Sequence, residues 1–305
     1  MAAPRDPTTT ATGVLGHIQE SGVGVINNLK QEHSNGVVDR LRPVVDGGLL
    51  AIQRQVGASD FVNGASDFSW VFDGVDEDCE SGISTEIRTL FGDATKPRTI
   101  VVIYKSTDTG SISYLFNARS DAGWANRLYI NTVPRLFSVT GMPGSHDDFW
   151  TRGTAYDGNW HIVAGTYDGT NDSGVIDHEL YFDGGTGTTS GGHNVPGGTS
   201  TTDDWTVAVG SVGWGLGYTD ITLDEVGMWD VVLTPTEISN LGTPGSLVLF
   251  NTVQPANLQV WYRFGDGEND SPTGTMSNQG VLGSALDCAA SSMEAGDQIE
   301  ESGND

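Results

Sequence analysis

Asp157-Gly158-Asn159-Trp160-His161-Ile162-Val163-Ala164-Gly165-Thr166-Tyr167-Asp168-Gly169 opens the stretch that decides the fold. It continues through Glu179-Leu180-Tyr181-Phe182-Asp183-Gly184-Gly185, Thr206-Val207-Ala208-Val209-Gly210, the run from Ile221 to Trp229, and Leu233-Thr234-Pro235-Thr236-Glu237-Ile238. Each piece is short, rich in β-branched and aromatic residues, and bounded by Asp-Gly or Asn-type turns, as antiparallel strands require. The run from Ile221 to Trp229 reads as strict alternation, with Ile221, Leu223, Glu225, Gly227 and Trp229 on one face. A one-turn helix follows: Thr234 suits the N-cap, Pro235 the first helical position, Glu237 a capping box, and Gly242 the end.

Outward from this stretch, Thr99 to Tyr104, Ile112 to Asn117, Arg127 to Ile130, Leu136 to Val139 and Leu258 to Phe264 read as further strands. The order of motifs resembles the laminin G-like, concanavalin A-like jelly-roll family, as found in viral structural proteins and microbial adhesins. The residues that carry the resemblance are Phe72-Asp73-Gly74 with the acidic residues after it, Trp160 leading a strand and the Tyr167-Asp168-Gly169 turn. The hairpin from Leu180 to Gly184, Gly210, the strand with Asp224-Glu225-Val226 and the helix from Leu233 to Ile238 complete the set. The resemblance covers residues 66 to 265 and implies an all-β, two-sheet antiparallel sandwich with one concave sheet. It implies no function, because this fold carries lectins, glycanases and structural modules alike.

Residues 1–65 read differently. Leu15, Ile18, Gly22, Val25 and Leu29 follow a 3-4 spacing that Val38, Leu41, Val45, Gly48 and Ile52 repeat. The spacing predicts an anchor or oligomerisation extension containing short helices, although Pro43, Gly47-Gly48 and Gly22-Val23-Gly24 interrupt it. Residues 66–265 are expected to form the jelly roll. Residues 266–305 are expected to form a strap and an acidic, disordered tail. Gly184 to Ser200 reads as an exposed, mobile Gly/Thr-rich loop.

Composition narrows the partners. The 305-residue chain has 14 basic and 40 acidic residues, a formal charge of −26, and only three lysines: Lys30, Lys96 and Lys105. No basic stripe is available to release counterions from a phosphate backbone, which argues against nucleic acid. No apolar run reaches the roughly 18 residues of a membrane span. An acidic, lysine-poor surface stays hydrated in strong salt, where screening removes its self-repulsion, and points to a halophilic or marine source. An ordinary acidic protein is the alternative. Cys79 and Cys288 fall near the opening and closing of the sandwich. The family's neighbouring first and last strands would allow a disulfide between them, and two buried thiols are the other reading.

Three kinds of chemistry are open to these residues. Asp76, Asp78 and Glu80 alternate like glycanase carboxylates. The resemblance nevertheless places them in a loop, and the leading residue is Asp where those enzymes carry Glu. The expectation is therefore no catalytic residue and no enzyme. Asp73, Asp76, Asp78, Glu80 or Asp224 could supply oxygens to Ca²⁺, but no ligand set is specified and no cofactor is expected. Sugar binding is the third: Trp124, Trp150 and Trp214 lie among glycines and polar residues, as ring platforms for pyranose faces do. Trp160, Trp229 and Trp261 sit within strand motifs and are expected in the core.

The functional expectation is a virion structural protein of a tailed virus of a salt-loving host: a capsid decoration, vertex turret or fibre. Its partners would be capsid or tail proteins, copies of itself and host-surface glycans. The start MAAPRDPTTTATG lacks the basic-then-apolar layout of a signal peptide, consistent with synthesis in a host cytoplasm and assembly into the virion. The alternatives are a cellular glycan-binding lectin and, behind it, a polysaccharide-degrading enzyme.

Overall fold

Contacts divide the chain into two units, residues 1–65 and 66–305. The computed structural model describes residues 17–21, 25–32, 38–42, 51–53, 68–93, 95–108, 112–123, 125–131, 133–139, 147–149, 155–169, 178–186, 202–213, 215, 217–243, 246–247, 249–265 and 270–300.

In the first unit, β1 (His17–Ser21), β2 (Val25–Glu32), β3 (Val38–Arg42) and β4 (Ala51–Gln53) form an antiparallel meander in that order. The expected short helices are thus replaced: the described residues of this unit are all strand. The register shows why the spacing misleads. Ile18 pairs with Leu29, Leu29 with Leu41, and Leu41 with Ile52, so these four seam residues form one row across four strands. Their recurrence marks one strand plus one turn. In the sequence, Gly22, Gly24 and Pro43, which oppose a continuous helix, lie between the segments that form these strands.

The second unit opens with β5 (Phe68–Asp73), β6 (Asp78–Ser81), α1 (Thr85–Phe91), β7 (Arg98–Lys105), β8 (Ser113–Ser120), β9 (Ala125–Asn131), β10 (Val133–Val139) and β11 (Asp147–Phe149). It continues through β12 (His161–Tyr167), β13 (His178–Phe182), β14 (Gly185–Thr186), β15 (Trp205–Val209), β16 (Asp220–Trp229) and α2 (Pro235–Asn240). The last elements are β17 (Gly242–Thr243), β18 (Ser246–Leu247), β19 (Leu258–Tyr262), β20 (Thr275–Met276), β21 (Cys288–Ser291) and β22 (Gln298–Glu300). One sheet runs β11-β10-β9-β8-β15-β6-β21-β20 and the other β14-β13-β12-β7-β16-β5-β22. Every pairing is antiparallel, and β19 joins the second sheet by pairing with the end of β16. This is the expected all-β sandwich.

The main core lies between the sheets. Trp70, Phe72, Tyr104, Phe116, Trp205, Leu223 and Tyr262 are fully buried in it. A second apolar cluster covers the outward face of the β7-containing sheet. There Val101, Ile103, Trp229 and Trp261 pack with Leu233, Ile238 and Leu241 around α2 and with Phe250 of a 3-10 turn. This explains the unbroken apolar run of β7: Ile100, Val102 and Tyr104 face one core, Val101 and Ile103 the other. Trp229 and Trp261 are buried as expected, in this second cluster, and the half-buried Trp160 packs against it.

The helix expected after β16 forms as read. Thr234 accepts from the Glu237 amide, the Glu237 carboxylate accepts from the Thr234 amide, and Pro235 occupies the first turn. The Asp183-Gly184 turn also holds, with both residues at positive φ, as a two-residue hairpin demands.

The strict alternation of β16 is corrected. Leu223 pairs with Tyr104 but Glu225 pairs with Ile103, so Asp224 is an extra residue that reverses the phase. Ile221, Leu223, Val226 and Met228 consequently face the main core, and Trp229 faces the second cluster. The C-terminal segment is also corrected. The acidic tail expected to be disordered contains β22, which pairs with Trp70, Ser69 and Phe68 of β5. Its backbone is tied in further by the Val71 amide donating to the Asp297 carbonyl at 2.7 Å. The expected strap supplies β20 and β21, which extend the first sheet beyond β6. Strand pairing satisfies main-chain groups whatever the side chains, so an acidic segment can still close a sheet.

Cys79 and Cys288 are both free and buried. They lie on the adjacent strands β6 and β21, where Cys79 pairs with Ala290 and Cys288 with Ser81.

Candidate functional site

The site grows from β6. Cys79 points into the main core, so its neighbours Asp78 and Glu80 stand on the outward face of the sheet. This overturns the expectation that they lie in a loop. The loop is the Gly74–Glu77 segment, which includes Asp76, and the strand begins at Asp78. A cross-sheet row on the same outward face runs Ala289, Glu80, Ala208, Asn117, Arg127.

The described residues of the loop between β15 and β16, Ser211 to Gly213, Gly215, Gly217 and Tyr218, lie against this face. The loop closes at its base where the amide and hydroxyl of Thr219 donate to the Gly210 carbonyl at 3.0 and 2.8 Å. Gly210 sits at φ +75, and a Cβ there would lie 2.5 Å from the Phe72 ring, so the turn leaving β15 accepts only glycine. The Ser211 hydroxyl donates to Asp78 at 3.0 Å and accepts from the Gly213 amide at 2.9 Å. The Asn117 amide nitrogen donates to the Val212 carbonyl, and Arg127 Nε donates to Asn117 at 2.8 Å. Gly213 lies so close to the sheet that a Cβ would fall 3.2 Å from Glu80 Oε1. The loop is thus built onto the outward row rather than hanging over it.

Between this loop and β21 lies an open cleft of about 700 Å³. Asp78, Glu80, Thr206, Tyr218 and Ser291 are its polar lining residues, and Ile83, 59% exposed, and Ala289 are among its apolar ones. Burial raises the pKa of Asp78; Ser211 opposes this and the charge of Glu80 reinforces it. Burial, then the charges of Asp78, Asp76 and Glu80, hold the Tyr218 hydroxyl above the usual tyrosine range. Tyr218 therefore keeps its proton at neutral pH and can donate as well as accept. A concave surface combining acceptors, hydroxyls and a modest apolar rim suits a polyhydroxylated ligand.

Trp124, Trp150 and Trp214, the ring platforms expected from sequence, lie outside the described residues. In sequence, Trp214 falls between Gly213 and Gly215 of the β15–β16 loop. Asp78, Glu80 and Tyr218 were not among the expected sugar-binding residues. The alternation of Asp78 and Glu80 was visible in the sequence, but no signal there identified Tyr218. Among the described residues, no three His, Cys, Asp or Glu side chains converge to hold a metal ion. No helix among them is long and apolar enough to cross a membrane.

Two further polar features lie away from the cleft. His161 bridges two carboxylates, Nδ1 to Asp183 at 2.8 Å and Nε2 to Asp157 at 3.0 Å, while stacking on Phe182. Burial opposes its charge, but Asp183 and then Asp157 outweigh that and raise its pKa. Glu77 accepts from the Asp73 amide, and its pKa is pushed up to about 7, chiefly by burial, with Asp297 and Asp73 adding repulsion.

The sequence profile of the concanavalin A-like lectin/glucanases superfamily matches residues 83–239. Comparison with curated protein sequences gives no match. Among solved structures, a candidate carbohydrate-binding protein from Bacteroides ovatus superposes with a TM-score of 0.52 at 14% identity, over 90% of this chain and 69% of that one. A heptameric SAP-like pentraxin from Limulus polyphemus matches 58% of this chain and 82% of its own, with 15% identity and a TM-score of 0.42. The CBM40 of a Ruminococcus gnavus sialidase matches 55% of this chain and 95% of its own, at 16% identity and a TM-score of 0.39. At these identities the likeness concerns the fold.

Proposed function

Because the chain belongs to the concanavalin A-like lectin/glucanases superfamily, we propose that its cleft on β15, β6 and β21 binds a glycan without cleaving it. The observation that carries this reading is the convergence of Asp78, Glu80 and Thr206 of one sheet with Tyr218 of the neighbouring loop and exposed Ile83 around one cleft. Carboxylates and hydroxyls of this kind pair with sugar hydroxyls, and the apolar rim covers a pyranose face. The Bacteroides ovatus protein of the same fold is itself a candidate carbohydrate-binding protein.

Binding is favoured over hydrolysis by the carboxylates themselves. A retaining glycanase needs a nucleophile and an acid/base on opposite sides of one bond. The third member of the alternating set, Asp76, sits in the turn before the strand, and Asp78 is held by Ser211. Glycan-array binding that falls in Tyr218→Ala or Trp214→Ala supports the reading. Reducing-sugar release that disappears in Glu80→Gln would replace it with catalysis.

The finer reading is a virion structural protein of a virus of a halophilic host, with the jelly roll displayed towards host glycans and residues 1–65 joining it to capsid or tail proteins. The separate 65-residue unit and the charge of −26 support it. Immunogold labelling of particles and the oligomeric state with and without residues 1–65 test it. A monomer in both forms, absent from particles, would leave the cellular lectin as the better account.

A further inference from the structure

Resting on the glycan-binding reading, we infer that Asn117, which does not line the cleft, is a positioning residue for it: by holding Val212 against the sheet, Asn117 fixes Tyr218 at the cleft wall. Asn117 lies on the outward row of β8, yet it is only 1% exposed. Its amide nitrogen donates to the Val212 carbonyl, and its Oδ1 accepts from Arg127 Nε at 2.8 Å. The second contact decides which way the amide faces. A guanidinium only donates and a carbonyl only accepts, so turning the oxygen to Arg127 leaves the nitrogen for Val212. Arg127 thus selects the orientation in which Asn117 pins the loop.

The pin reaches Tyr218 through packing inside the loop. Val212 belongs to the half that leaves β15, and Tyr218 to the half that returns to β16. The two halves touch. A Cβ on Gly217, at φ +64, would fall 2.5 Å from Val212 Cγ2 and 3.4 Å from the Tyr114 ring, so the returning half rests on Val212. Next to it, a Cβ on Gly215 would fall 3.3 Å from the Tyr218 hydroxyl, and Gly215 and Tyr218 both line the cleft. Ser211, bound to Asp78 and to the Gly213 amide, and Thr219, bound to Gly210, fasten the two roots of the loop. Asn117 instead holds the residue on which the returning half rests. An aromatic side chain held in place before the ligand arrives loses little further freedom on binding, and affinity gains accordingly.

Asn117→Asp tests the inference in the full chain. It keeps the size of the side chain and its tie to Arg127, and sets a carboxylate oxygen, an acceptor, against the Val212 carbonyl. Hydrogen exchange without sugar should then run at least about tenfold faster over residues 210–219, while β7 and β12 exchange as before. Affinity is read by calorimetric titration with cellotriose, mannotriose and 3′-sialyllactose, and should fall about tenfold. In a Tyr218→Ala background the same substitution should cost no affinity, because nothing remains for Asn117 to position. A residue that only supports the fold would lose as much with Tyr218 as without it. Gly217→Ala, in the exposed part of the loop, should reproduce both effects and serves if Asn117→Asp does not fold. Unchanged exchange over 210–219 overturns the inference, and so does an affinity loss of equal size in the two backgrounds. If none of these sugars and nothing on a glycan array binds the unaltered protein, the glycan-binding reading fails and Asn117 loses its part in it. Exchange still shows in that case whether Asn117 holds the loop, so the two failures are distinct.

Discussion

The two sheets of the sandwich treat their outward faces in opposite ways. On the β12-β7-β16 sheet that face is apolar, and α2 with Leu241, Leu249 and the 3-10 turn at Phe250 covers it with a second core. On the β8-β15-β6 sheet the outward row is Glu80, Ala208, Asn117 and Arg127, and part of it stays open as the cleft beside the 211–218 loop. One face is spent on stability and the other is available to a ligand. Substitutions on the first should therefore change folding and spare binding, and substitutions on the second should do the reverse.

The largest effect should come from Trp229→Ala. Its ring packs on Phe250 at 5.4 Å, and its Nε1 donates to the Val253 carbonyl at 2.8 Å. Removing it leaves a cavity and an unmatched carbonyl, a loss of about 3–5 kcal/mol in chemical denaturation. Sugar affinity of the remaining folded fraction should not change. If Trp229→Ala abolishes binding while the protein stays folded, the division between the faces is wrong.

On the open face, Tyr218→Ala should weaken glycan binding by about 1–2 kcal/mol, measured by titration. Its stability should move by no more than about 0.5–1 kcal/mol, since the side chain is only half-buried. Thr234→Ala removes the N-cap of α2 and should cost about 1 kcal/mol of stability, again without touching binding.

Acidity provides a subtler probe, because Glu77 and His161 both hold their protons more tightly when folded. For Glu77, with a native pKa of about 7, stability is greatest below the ordinary glutamate value and declines as pH rises towards 7. For His161 the raised pKa contributes stability below the ordinary imidazole value of about 6.5, lost as pH climbs through the raised native value. The thermal midpoint should therefore fall between about pH 5 and pH 8. Glu77→Gln should flatten the lower part of that fall and His161→Gln the upper part. A midpoint that rises across this range would contradict both assignments.

Much of the sandwich is legible in the chain, and the reason is local. The Asp183-Gly184 turn, the Thr234–Glu237 capping box and the strand of residues 161–167 depend on side chains acting on backbone within a few residues. The N-terminal unit misleads for a complementary reason. Ile18, Leu29, Leu41 and Ile52 recur at intervals that suit a helical seam as well as a meander, and only long-range pairing distinguishes them. In β16 a single extra residue, Asp224, defeats a correct strand assignment, because side-chain alternation carries no record of where the partner strand skips. The candidate site was half legible: the alternation of Asp78 and Glu80 stood in plain view, but it read as a loop.

The sequence by itself determined many of the sandwich strands, the turns, the helix cap and the acidic composition, because each follows from nearest-neighbour chemistry and composition. Tertiary structure alone decided three things: that β6 belongs to a sheet, that α2 covers one face and leaves the other open, and that β21 and β22 close the sandwich from its far end. Those outcomes depend on pairings between residues more than a hundred positions apart, such as Asp78 with Ser291 and Trp70 with Gln298. Register between distant strands is set by the summed fit of two faces, and no short stretch of chain contains that sum.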